Sequence, residues 1–580
     1  MAAIQEKEEV EIPIVDGIPM PPPVRPVIIL RGTDHEIGYQ YFQQLVQIYG
    51  TWISSHKWGS MYYCTKLHRE KFSEEEKKAL KAYQYYIKEY APEWIDILKG
   101  MAEGATDAGI PLTYEDLLAF FVLYEELAPW SPKSFVTPNP PAESKNEELK
   151  KACSGFAAWG EATKDGKLLC AGSGDDDAGY FASTVIVFPE KGNNFIASPY
   201  NMPGFGGFPS HPGMNNKGLV HVHHGTGTLD IPKRDYTLPR GMANMHILRF
   251  ANTAHEAADM HVNYPPGVNY KEGNFFADVR GNAFVIESRN PTVMRKAGYL
   301  GETDFIYHTN NYLTKEMGDK ERQDYIPHGG WLSKVIDEND FTPWSVSRNL
   351  FMWNMLHNYN GQVDLEFAKM MYRFPGTITY PTLEEADAAY LPEIGKSYHT
   401  KIGSLDNSVI GITLPENGDN GLYYICSGYA TRATCPSLPG YHHYAPGRTC
   451  SFYELKLASN PDAVVDAAFK RAQYDLYYAN AEMARLKYTD ASALQPMFEK
   501  AATEYFKGHY YLNAVRAGRI TTERESVFHY AKATRAFARC QVFAREVYEA
   551  LFPPATRPED LGLKPWLRDW GDWDTYWEKN

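Results

Sequence analysis

The spacing of hydrophobic positions changes twice along this chain. From Thr33 or Asp34, either of which can cap a helix, the run HEIGYQYFQQLVQIYGTWI places apolar residues three and four apart, and a second helical run follows from 73 to about 105. The stretch before them, to about Pro26, is proline-rich and charged, which predicts an extended surface arm. Residues 131–150, SPKSFVTPNPPAESKNEELK, mix prolines, small polar residues and charges and predict an exposed loop. Beyond it come short apolar runs broken by glycines: SGFAAWG, KLLCAG, STVIVFP, NFIASP and KGLVHVHH, then FFADVRGNAFVIES, which reads as a hairpin. Helical segments at 242 to about 258, 345–356 and 365–372 are interleaved with this β-rich region, so the fold class is α+β. From Asn460 the pattern is helical again, most clearly in VVDAAFKRAQYDLYYANAEMARL and VFHYAKATRAFARCQVFAREVYEALF. The Trp-rich end, PWLRDWGDWDTYWEKN, reads either as a tail packed on the body or as an oligomer or lid contact.

These shifts divide the chain into an amino-terminal arm and helical segment (1–152), a β-rich core (153–459) and a helical extension (460–580). The 580 residues exceed the ~250–300 at which one hydrophobic core usually stops growing, which fits a large domain with additions. A net charge of −14 without a long basic run argues against a nucleic-acid partner. The opening MAAIQEKEEVEIPIVDGIP carries acids where a secretory signal would be basic, and no run of 18 apolar residues occurs, so the expectation is a cytoplasmic protein with no membrane span. The seven cysteines, at 64, 153, 170, 426, 435, 450 and 540, are odd in number and scattered. They fit neither a disulfide framework nor a paired-cysteine metal site, and single reactive thiols are left to consider.

Cys153 follows the predicted loop and begins a strand-like run, KACSGFAAWG, with the turn TKDG and a second strand behind it. A free cysteine is ordinarily a buried structural residue. The order of loop, cysteine and strand is instead that of an amino-terminal nucleophile: breaking the bond between Ala152 and Cys153 frees an α-amino group that can take the thiol proton as general base. Before cleavage the same thiol can attack the Ala152 carbonyl, and water resolves the acyl group shifted onto sulfur.

These residues resemble the isopenicillin N (acyl-CoA:6-aminopenicillanic acid) acyltransferase-like family of self-cleaving cysteine Ntn-hydrolases, related to choloylglycine and penicillin V hydrolases. The resemblance runs roughly from residue 31 to 455 and rests on GTDHEIGYQ, CSGFAAWGEATKDGKLL, GMNNKGLVHVHHG, FADVRGNAFVIE, YHTNNYL and SVSRNLFMWNML in that order. It implies a four-layer αββα sandwich. It also implies Cys153 as nucleophile, Asp175 as acceptor for the α-ammonium or thiol, Asn310 as oxyanion donor, and Arg348 to counter the acid charge or orient the substrate. Where relatives commonly carry an Arg-Asn-Leu-Asp sequence, this chain has Gly172-Ser173-Gly174-Asp175. The register among Asp175, Asp176 and Asp177 stays open, and Asn310 could equally be a turn residue beside Asn311.

His221 and His223 share a strand face, but without a carboxylate at ligand spacing a metal is not expected; His223, His224 and Tyr312 read as pocket-lining or core residues. The aromatics Tyr180, Phe181, Phe205, Phe208 and Tyr312 hint at an apolar or aromatic acyl group, and core packing explains them as well. The function expected is C–N amide hydrolysis, or acyl transfer to an amine, through a thioester on Cys153, with a small-molecule substrate and no cofactor. An inactive binding scaffold of the same fold and a phospholipase B-like ester hydrolase are the alternatives, and a homo-oligomer is left open.

Overall fold

The computed structural model of the chain describes residues 14–15, 18–19, 22–50, 74–122, 153–174, 183–198, 212–225, 238–264, 272–288, 292–317, 344–374, 405, 409–428, 430, 451–485 and 491–564. It is an α+β protein built on two sheets. A short pair, β1 (Ile14–Val15) and β2 (Ile18–Pro19), precedes them.

The larger sheet holds β3 (Val27–Gly32), β6 (Thr184–Pro189), β7 (Phe195–Ala197), β8 (Gly213–Asn215), β9 (Leu219–Gly225), β10 (Glu272–Asp278), β11 (Ala283–Ser288) and β12 (Thr292–Lys296). Its order is β12-β11-β10-β9-β8-β7-β6-β3, antiparallel throughout except that β3 runs parallel to β6. The smaller sheet holds β4 (Ser154–Ala158), β5 (Leu169–Gly174), β13 (Phe305–His308), β14 (Val409–Leu414), β15 (Leu422–Cys426) and β16 (Phe452–Lys456), ordered β13-β4-β5-β14-β15-β16 and antiparallel.

Both faces of these strands are apolar, and alternation sorts their residues into separate clusters. Val222, Phe275 and Val285 from the larger sheet meet Ala157, Ile306 and Ile425 from the smaller one in a single cluster. The alternate residues Phe276, Phe284 and Ile286 pack beneath α1 (Asp34–Tyr49), α3 (Glu93–Asp107), α5 (Arg240–Phe250) and α6 (Ala254–Asn263). On the smaller sheet Phe156, Tyr307 and Ile412 pack beneath α7 (Trp344–Asn358) and α8 (Leu365–Arg373).

Thr33 caps α1 as its sequence suggests, accepting from the Glu36 N–H at 3.2 Å. The run from 73 to 105 is two helices, α2 (Glu74–Tyr90) and α3, because Pro92 sits at the α3 cap where its missing N–H costs nothing. The run from 242 to 258 likewise divides into α5 and α6, the second capped by Thr253. The amino-terminal arm departs from expectation: Val24, Arg25 and Pro26 are buried, and the chain passes directly into β3.

Two sheet edges would leave backbone groups unpaired, and side-chain amides complete them. On β3, Gln44 of α1 donates to the Ile29 carbonyl at 2.7 Å and accepts its N–H at 3.3 Å, and Gln40 does the same for Arg31 at 2.9 Å each way. On β16, Gln541 accepts the Glu454 N–H at 2.8 Å and donates to its carbonyl at 3.2 Å. Gln541 belongs to α11 (Glu523–Leu551), the last of three helices that also include α9 (Pro461–Arg485) and α10 (Ala491–Arg516). The 460–580 segment, expected as an extension, therefore enters the gap between the sheets: Val527, Ala531, Ala538 and Val542 of α11 and Val464 of α9 join the inter-sheet cluster, and Arg535 donates to the Val27 carbonyl.

Candidate active site

Cys153 lies immediately before β4, with its side chain on the register of Gly155 and Ala157, toward the other sheet. It is 4% exposed. Two residues distant in sequence clamp its main chain. The Cys153 N–H donates to Asn310 Oδ1 at 2.8 Å, and the Arg348 guanidinium donates to the Cys153 carbonyl. The same guanidinium donates to Ser154 Oγ at 2.7 Å and to Asn310 Oδ1 at 2.9 Å. Arg348 is fully buried on α7, so a rigid planar fork fixes the position and the angle of the strand's first peptide.

Asn310 Oδ1 thus accepts two donors, and Nδ2 is the donor end of that planar amide. The next residues repeat the arrangement. Asn311 Oδ1 accepts from Asn349 Nδ2 at 2.8 Å and from the Thr309 hydroxyl at 3.1 Å, so consecutive residues of α7 hold consecutive residues of the loop after β13.

The loop is anchored from the opposite sheet by Glu287 of β11. Its carboxylate accepts the Leu313 N–H at 2.7 Å, the Thr314 N–H at 3.1 Å and the Thr314 hydroxyl at 2.6 Å. Burial pushes this carboxyl up, against the pull of Arg295 and these hydrogen bonds. His308 Nε2 lies 4.0 Å from Glu287 Oε1, and the His308 and His224 rings are 5.2 Å apart. Each imidazole crosses the inter-sheet space onto a glycine. A Cβ on Gly155 would come within 2.9 Å of His224 Cε1, and one on Gly273 within 1.9 Å of His308 Cε1. Burial lowers His224 to about 3 and His308 well below the usual range, so both rings are neutral.

Sequence reasoning brought Cys153, Asn310, Arg348 and His224 to one place, and the fold does assemble them. Among the described residues, Arg348 grips the Cys153 carbonyl and the Ser154 hydroxyl. His223 is corrected: strand residues alternate, so it faces the helical layer with His221, away from Cys153. There His221 Nε2 meets Asn274 Oδ1 at 2.9 Å, and Asn274 Nδ2 meets His261 Nε2 at 3.2 Å. Tyr312 is buried beside Asn311, whose Nδ2 donates to its carbonyl. Asp175, Asp176, Asp177, Ala152, Tyr180, Phe181, Phe205 and Phe208 lie outside the described residues. Among the described residues, no group of three His, Cys, Asp or Glu side chains is placed to hold a metal, and no helix is long and apolar enough to cross a membrane.

Glu287, His308, Asn311 and Asn349 were missed. Glu287 and His308 each had a signal, a polar residue on the inward register of an apolar strand, where burial demands a partner or a purpose.

No known family profile matches the chain. Over 136 residues it is 28% identical to an uncharacterized protein of Archaeoglobus fulgidus, a match covering 23% of this chain and 21% of that relative, so the chain spans about a fifth of the relative's length. Among solved structures it is similar to an arginine-to-leucine variant of conjugated bile acid hydrolase from Clostridium perfringens, at 14% identity and a TM-score of 0.28. A cysteine-to-alanine mutant of the same hydrolase matches at 15% identity and a TM-score of 0.25. Each match covers 47% of this chain and 89% of the other.

Proposed function

We propose that the chain is a cysteine amidohydrolase or acyltransferase of the Ntn type, with residues 153–459 as a four-layer αββα catalytic core and Cys153 as its amino-terminal nucleophile. The observation that carries this reading is the clamp: the Cys153 nitrogen rests on Asn310 Oδ1 while Arg348 holds its carbonyl. Any buried main-chain N–H needs an acceptor; what supports a nucleophile is that this acceptor is a side-chain amide fixed by a buried arginine, which can go on orienting the nitrogen once it is a free amine acting as general base.

In this scheme the free α-amine takes the thiol proton, and sulfur attacks the substrate carbonyl. Asn310 Nδ2 donates to the oxyanion, a contact worth ~3–4 kcal/mol at such sites. The ammonium returns its proton to the leaving amine as the C–N bond breaks, leaving a thioester. Water, or an acceptor amine, then attacks the thioester, and the thiol is restored. Asp175 is proposed as the acceptor that orients the α-ammonium.

The test is a panel of N-acyl amides and esters assayed alongside a thiol label. Amide turnover with stoichiometric labelling of Cys153, both lost in Cys153→Ala, is expected. Labelling without turnover would favour the binding scaffold, and turnover of esters alone would favour the ester hydrolase.

A further inference from the structure

Arg25 lies just ahead of β3, outside the site described above, and is fully buried. Its main chain is fixed on both sides: its N–H donates to Ser427 Oγ at 2.7 Å, and its carbonyl accepts from the Tyr453 hydroxyl at 2.9 Å. Its guanidinium is different. Among the described residues, none of Nε, Nη1 and Nη2 has a hydrogen-bond partner. Among the described residues, the groups that act on it most strongly are the hydroxyls of Tyr453, Tyr423 and Tyr49 and the Cys426 thiol, none of them a carboxylate.

An arginine side chain stays charged in a protein and presents five donors, so burial without an anion costs several kcal/mol. Other buried arginines here avoid that cost: Arg295 pairs with Glu302, Arg373 with Glu549, and Arg348 spreads its donors over three oxygens. Arg25 has the donors and the burial, and no described residue supplies the anion.

Its position relates it to Cys153. Ser154 pairs with Ser173, Ser173 with Ile410, and Ile410 with Cys426, a straight row across β4, β5, β14 and β15. Cys153 and Ser427 each stand one residue beyond that row at the same end of the sheet. Three strand spacings separate them, about 14 Å.

We propose that Arg25 forms an anion-binding subsite at the nucleophile's end of the sandwich, taking a planar oxyanion, a carboxylate in the first instance, in the fork of its guanidinium. The fork matches a carboxylate through two parallel hydrogen bonds, a pairing that a lysine could not supply. Where the anion belongs to the substrate, the substrate is an acyl amide that carries a carboxylate remote from the scissile carbonyl. That assignment rests on the amidohydrolase reading; the binding of an anion at Arg25 does not.

Thermal unfolding of the full chain in a low-salt buffer, with sodium acetate or inorganic phosphate added, tests the site without reference to activity. The expected result is a saturable rise in melting temperature for wild type that is absent in Arg25→Met. Without added anion the variant should melt no lower than wild type, because it has lost an unpaired charge. Arg25→Lys, which keeps the charge without the fork, should show a weakened rise and serves as the comparison if the methionine variant does not fold. No rise in wild type, or an equal rise in all three proteins, would overturn the proposal.

Turnover of paired amides with and without the distal carboxylate identifies the anion's source. A loss on the order of 10²-fold in kcat/KM, confined to the carboxylate-bearing member in Arg25→Met, assigns it to the substrate. An anion-dependent rise in melting temperature with equal turnover of both members assigns it to a free oxyanion. The same rise with no amide turned over refutes the amidohydrolase reading and leaves the anion site standing.

Discussion

At the scale of single residues, the account depends on how Cys153 is held. Arg348 makes three contacts that no other side chain could make together, and Arg348→Lys keeps the charge but cannot bridge them. A misplacement of about 1 Å at a reacting centre costs ~10²-fold, so Arg348→Lys should lower kcat by roughly that factor while leaving KM nearly unchanged, as steady-state kinetics will show. Gly273→Ala should be far more damaging than its size suggests, because the new methyl would lie 1.9 Å from His308 Cε1. Urea unfolding should show a loss of about 1–3 kcal/mol or failure to fold. Cys153, Asn310 and Arg348 were legible because each sits in a motif and the motifs come in order. Asn349 was not, since its amide bonds the Asn311 side chain and no spacing along the chain reveals a bond between side chains 38 residues apart. His223 was misplaced by treating two adjacent histidines as equivalent, although a strand turns one of them away.

At the scale of elements, the strands with strong β-branched runs were readable from sequence. β12, β13 and β14–β16 were not resolved individually, because tyrosine, glycine and threonine dilute their alternation. The helices were found where apolar spacing was long, and were joined wrongly where a proline or threonine cap restarted them. The role of α11 could not be read at all. Its apolar stripe predicts a buried face, yet only the fold reveals that the face closes two sheet edges and that Gln541 completes the Glu454 backbone. Gln541→Leu fills a similar volume but leaves that N–H and carbonyl unpaired. Its unfolding free energy should fall by about 1–3 kcal/mol, measured by urea denaturation, whereas Gln541→Glu should retain the bond to the N–H and lose less.

At the scale of the whole molecule, five histidines are fully buried among the described residues, and four of them make the fold sensitive to acid. Burial holds His221 at about 4, His224 and His261 at about 3, and His308 well below its usual range. Each binds a proton on unfolding once the pH drops below the ordinary value near ~6.5, so this stability is full above that value and is lost as the pH falls toward the folded values. Glu287 acts in the opposite sense, since its raised carboxyl favours the fold at low pH, but it is one group against four. The urea midpoint should therefore drop steeply between pH 6.5 and 4, and His261→Gln should reduce the proton uptake on unfolding by about one. The amino-terminal segment is bound into the same body: β3 pairs with β6 along its length, and α1 supplies the amides that complete its free edge. The two pieces that the proposed self-cleavage would produce should therefore co-elute on size exclusion and separate only in denaturant.

Self-cleavage itself is the central claim. Intact mass and amino-terminal sequencing of the purified protein beside Cys153→Ala test it most directly. The account predicts fragments 1–152 and 153–580, the second beginning at Cys153, from wild type, and an uncut chain from the variant. A wild-type chain that stays whole, with a Cys153 that no thiol reagent labels, would contradict it.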